Sequence, residues 1–111
     1  MRRSSPQNVI LTLVKLNFAQ SGQPNPWALH DLGLAIGNLT LQASALDLYV
    51  HNMGGFSPEK AQTLFNLPAD VRPVTMIAIG YRGEIAQLPE GLQAREKAVQ
   101  VRNPLEELIL S

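Results

Sequence analysis

The residue types best suited to proton transfer or metal ligation in this sequence are two histidines, His30 and His51. They lie far apart in the chain, and neither has acidic residues at ligand spacing, so the three or four converging ligands of a zinc site are not assembled. The sequence contains no cysteine, which removes disulfides, thiolate nucleophiles and Cys-based metal sites. No Ser-His-Asp set and no pair of carboxylates is spaced for acid–base work. No side chain is therefore assigned a catalytic role. The other positions of interest are backbone and charge features. Gly54-Gly55 follows a long apolar segment, where a glycine pair can cap a helix and make a turn. Arg102 stands near the C-terminus, where it reads as a solvated tail arginine.

Elements that could position these residues follow from the hydrophobic pattern. Val9–Leu16 (VILTLVKL) is a short, β-branched apolar run with no helical period, and reads as a buried strand. Ser21–Pro26 is a turn cluster, and Asn25-Pro26 offers an N-cap followed by proline at the first helical position. The helix that follows carries two apolar stripes. Leu32, Ala35, Ile36, Leu39, Ala43 and Leu46 form one, and Leu34, Leu41, Ala45 and Leu48 the other. Two stripes require cover on two sides, and Gly33 and Gly37 would let another backbone approach closely, which predicts a subunit interface. Gly54-Gly55 is expected to end this segment. Ser57-Pro58 then opens a short helix to about Asn66, and Pro68 stops it. Val74–Tyr81 is a second buried strand, Glu84–Gln100 an exposed loop with a helical turn, and Pro104–Leu110 a short amphipathic tail. Two strands alone do not make a stable sheet in water, so either chains pair or part of the domain lies elsewhere.

Composition narrows the class. Hydrophobic residues make up 45% and charged residues 16%, enough to fold one small domain of 111 residues. Nine basic residues balance nine acidic ones, so the basic footprint of a nucleic-acid binder is missing, and low net charge removes a barrier to self-association. The apolar stretch Leu32–Val50 is interrupted by Asn38, Gln42 and Asp47, which argues against a membrane span. Met1-Arg2-Arg3 leads into Ser-Ser-Pro-Gln-Asn rather than an apolar run, so no secretory signal is read and the cytoplasm is expected.

Asn25-Pro26-Trp27-Ala28-Leu29-His30-Asp31-Leu32-Gly33-Leu34-Ala35 leads into the long helix, followed by Met53-Gly54-Gly55-Phe56-Ser57-Pro58-Glu59. Arg72-Pro73-Val74, Ile79-Gly80-Tyr81 and Arg102-Asn103-Pro104-Leu105-Glu106-Glu107 come after them. In order and spacing, from about Val9 to Leu110, these resemble the C-terminal half of the nitroreductase family of FMN-dependent oxidoreductases. The resemblance implies an α+β sandwich, sheet packed on helices, assembled as an intertwined homodimer with FMN in a cleft between subunits. Residues 1–8 would be a flexible N-terminus and 9–111 a partial domain of this type. The long helix would form the dimer core, and the C-terminal segment would extend onto the partner. The chemistry implied is the flavin's: electrons from NADH or NADPH pass to a nitro compound, quinone or similar acceptor while the protein positions the reactants. Gly54 and Gly55 fall where the family brings backbone N–H groups to the flavin N5 and O4, and Arg102 matches a basic residue that reaches the FMN phosphate. Trp27 and His30 could face an acceptor pocket. The chain departs from the family at three places. Gly54 stands where many relatives carry an acidic residue, Gln100 where the residue is often basic, and the N-terminal helices with their Arg-rich phosphate motif are missing. Arg2-Arg3-Ser4-Ser5 resembles that motif in composition but precedes a strand instead of opening a helix.

Three readings follow. The first is a flavin oxidoreductase, completed by another chain or by dimerisation. The second is a truncated relative that keeps the dimerising half without flavin binding or catalysis. The third is a two-layer structural domain unrelated to flavin.

Overall fold

The computed structural model describes residues 8–110. The expected flexible N-terminus, and with it the Arg2-Arg3-Ser4-Ser5 motif, lies outside the described residues except for Asn8, which already pairs with Ile79. In chain order the regular elements are β1 (Asn8–Lys15), α1 (Ala28–Ala45), β2 (Tyr49–Met53), α2 (Pro58–Leu64), β3 (Val71–Gly80), a 3-10 turn at Ile85–Gln87, α3 (Glu90–Lys97) and α4 (Leu105–Leu108). The class is α+β. The sheet has three antiparallel strands in the order β1-β3-β2, not the two read from the sequence.

β3 is the centre of the architecture. It pairs with β1 along most of its length and with β2 from Met76 to Gly80. Its Ile77 is fully buried, between Ile10 on one side and Asn52 on the other. α1 packs on β1 and β2, and α2 on β3. β1 is an edge strand and less buried than its apolar run predicts: Thr12 and Val14 are buried, while Val9, Ile10 and Leu13 stay exposed. The β1–β3 register slips between Leu11 and Leu13, so backbone pairing fails locally. The Thr12 side chain repairs it. Its Oγ1 donates to the Thr75 carbonyl at 3.0 Å and accepts from the Thr75 N–H at 2.9 Å. Pro73, which has no N–H to offer, sits beside this slip, beyond the end of β2 where β3 has one neighbour only.

Both ends of α1 depart from the sequence expectation. Asn25 does not cap it. The Asn25 Oδ1 accepts from the Trp27 N–H at 3.0 Å, making a turn, and the helix starts only after Trp27. At the other end α1 stops at Ala45, well before Gly54-Gly55. Asp47 adopts a left-handed conformation with φ 57°, its N–H bonds the Ser44 carbonyl, and the Leu48 N–H bonds the Ala43 carbonyl. These bonds satisfy carbonyls that the helix end would otherwise leave open. The chain turns back at once, and Tyr49–Met53, predicted as helix, becomes β2. α2 closes in the same way, with Asn66 at φ 48° and Leu67 N–H on the Gln62 carbonyl. Its start is as predicted: Pro58 opens it and the Ser57 Oγ accepts from the Lys60 N–H at 3.2 Å. The expected loop Glu84–Gln100 contains the 3-10 turn and the eight-residue α3, and α4 occupies the tail.

One chain covers only one stripe of α1. Ala43 is buried and Leu32, Ile36 and Leu39 are half-buried, whereas Leu34 and Leu41 are 59% and 73% exposed. Leu46 and Leu48 lie past the helix end. The accessible surface is 9165 Å² for a 12.1 kDa chain, where a compact monomer of that mass exposes roughly 6,000 Å². The radius of gyration is 17.7 Å against about 13 Å for a compact domain of this length.

Two stability tests follow. Thr12→Val should destabilise the chain by about 1–3 kcal/mol in urea unfolding, because it strands the Thr75 amide and carbonyl, while Thr12→Ser should keep most of the stability. Asp47→Gly should stabilise it by about 0.5–1 kcal/mol, since glycine meets no steric cost at positive φ, and Asp47→Val should destabilise it by more than about 1 kcal/mol. Equal midpoints for the glycine and valine variants would contradict the left-handed cap.

Candidate functional site

The segment between β2 and α2 is the candidate. Met53, the last residue of β2, pairs with Met76, and Gly54 and Gly55 follow in an exposed loop that ends at the Ser57 cap of α2. Among the described residues, the one loop hydrogen bond involving the pair is from the Phe56 N–H to the Gly54 carbonyl at 3.0 Å. Neither glycine amide donates to another group of the chain among those residues. Nothing in the fold demands glycine here. Among the described residues the positive-φ glycine is Gly22, not these two. A Cβ built on Gly54 or Gly55 meets no atom within 4 Å. The two residues do not cap a helix either, since α1 ended at Ala45.

Among the described residues, no hydrogen bond or ion pair joins the other sequence-predicted residues to this pair. Arg102 is exposed in the tail, and α4 beyond it packs on no other element. With its amide oxygen turned toward it, Gln100 accepts hydrogen bonds from both terminal nitrogens of Arg102. The cation is thus engaged locally by a neutral acceptor. His51 lies on β2 opposite Ala78 and is exposed. His30 sits in the first turn of α1 with its Nδ1 3.4 Å from Asp31 Oδ1, both solvated. Trp27 precedes that turn, 60% exposed, its ring 6.3 Å from Phe18.

Sequence reasoning missed a second feature. A cavity of about 680 Å³ lies where β2 begins and β3 ends, lined by Asp47, Tyr49, Tyr81, Arg82, Glu84 and Ile85 among others. The Arg82 guanidinium lies 5.9 Å from the centre of the Tyr49 ring and 3.8 Å from Glu96 of α3. Tyr49 begins β2 and Gly54 follows its last residue, about 16 Å away at strand rise, so this cavity and the glycine pair are separate places. The apolar helical period that runs through Tyr49 hides the cavity in the sequence, because only pairing with Gly80 makes Tyr49 a strand residue. Among the described residues no helix is long and apolar enough to cross a membrane.

Comparison with known proteins agrees with the fold. The model of the nitroreductase family matches residues 5–81. An uncharacterized 15.4 kDa protein in the ask 5′ region of Mycolicibacterium smegmatis is 32% identical over 98 residues, covering 88% of this chain and 66% of that protein. Among solved structures, an oxidoreductase containing FMN superposes with a TM-score of 0.85 at 24% identity, over 92% of this chain and 52% of that one. A nitroreductase family protein from Clostridium difficile 630 gives 0.64 at 25% identity, over 92% and 57%. The fold is thus the α+β fold of nitroreductases. The chain belongs to the nitroreductase family, and it spans about half the length of these solved relatives and about two thirds of the curated one.

Because no atom of the chain fills the space beside Gly54 and Gly55, Gly54→Ala and Gly55→Ala should leave the thermal midpoint within about 2 °C of the parent, surface changes being worth at most ~0.5 kcal/mol. A large loss of stability would show that the glycines serve the fold.

Proposed function

We propose that the chain is the flavin-edge half of an FMN-dependent oxidoreductase of nitroreductase type, with Gly54 and Gly55 presenting backbone N–H groups to the flavin N5 and O4. The observation that carries this reading is the pair itself: two exposed glycines that neither backbone strain nor packing requires, with amides unused by the loop. A planar ring can approach such a backbone closely, and a side chain would hold it off. FMN bound there would supply the redox chemistry, taking a hydride from NADH or NADPH and delivering electrons to a nitro compound, quinone or similar acceptor. The chain's own part is to hold the ring by its edge and to tune it through amide dipoles. Arg102 would meet the phosphate, for which it must exchange Gln100 for the anion.

The same reading includes self-association. The uncovered stripe with Leu34 and Leu41, the exposed Gly33 and Gly37 beside it, and the excess accessible area support a homodimer formed through α1. An α4 that packs on no element of its own chain supports a tail that lies on the partner. The second reading, a dimerising relative without flavin, is favoured by one observation: Arg102, which would meet the phosphate, is already engaged by Gln100.

Sedimentation at micromolar concentration should show a dimer or larger species, and Gly37→Leu should weaken it by overpacking the helix face. A compact, stable monomer would overturn the self-association. FMN titration followed by flavin fluorescence should show quenching that Gly55→Val abolishes and His51→Ala leaves intact. Arg102→Ala should weaken binding about tenfold or more, a charge-assisted phosphate contact being worth roughly 1.5–3 kcal/mol. Absence of quenching at millimolar FMN would leave the dimerising module as the function.

A further inference from the structure

We draw no further inference here: the strongest candidate, the cavity of about 680 Å³ at the start of β2 beside Tyr49, Tyr81 and Arg82, mixes a guanidinium with the carboxylates of Asp47 and Glu84 so that its charge selects no class of ligand, and nothing in the structure shows what covers it.

Discussion

The molecule depends on the antiparallel ladders of β3. β1 and β2 pair with β3 and not with each other, and α2 packs against it. α1 reaches the sheet through the two outer strands, so its position is secured by β3 at one remove. The fully buried Ile77 marks the middle of this arrangement, and the Thr12–Thr75 bonds hold it together where the backbone register fails. A short sheet with two open edges contains little apolar volume. That limit explains why the fully or nearly buried hydrophobic residues among those described are so few: Val14, Ala43, Ala61 and Ile77.

Against so small a core, the surplus of exposed apolar side chains is a property of the architecture and not of one loop. It extends from Val9 on the edge strand to Leu34 and Leu41 on α1 and Leu105, Leu108 and Leu110 in the tail. At about 25 cal/mol per Å², each 100 Å² of such surface covered by a partner contributes roughly 2.5 kcal/mol before the cost of association. The chain spans about half the length of its solved relatives.

Much of the fold was legible from local chemistry. The Ser57-Pro58 cap, the β-branched runs of β1 and β3 and the inner stripe of α1 each follow from residues whose physics is short-ranged. The errors share one cause. A helix end closed by left-handed Asp47 carries no glycine or proline, so the apolar run passed through it unmarked and β2 was absorbed into the helix. Tyr49 and Val50 favour strand, but β preference is weak beside a long helical period, and tertiary pairing with β3 decides the outcome. Losing β2 also hid the cavity at its first residue and gave the glycine pair a capping role that it does not have. The burial of β1 was overestimated because an edge position cannot be read from an apolar run alone.

Glycine placement ties the fold to the proposed function. Gly33 and Gly37 stand inside α1, where each costs up to about 1 kcal/mol relative to alanine. Gly54 and Gly55 stand in a loop whose conformation any residue could adopt. At all four positions an added Cβ would enter open space, so the chain itself gains nothing from their smallness. The two pairs lie on different elements, and under the proposed function they would meet different visitors. The helical pair, one turn apart beside an uncovered leucine stripe, suits a second apolar backbone. The loop pair, with free amides at the end of β2, suits a planar polar edge. Under the proposed function the helical pair would serve a second copy of the chain and the loop pair the flavin, so both would answer to something outside the single chain.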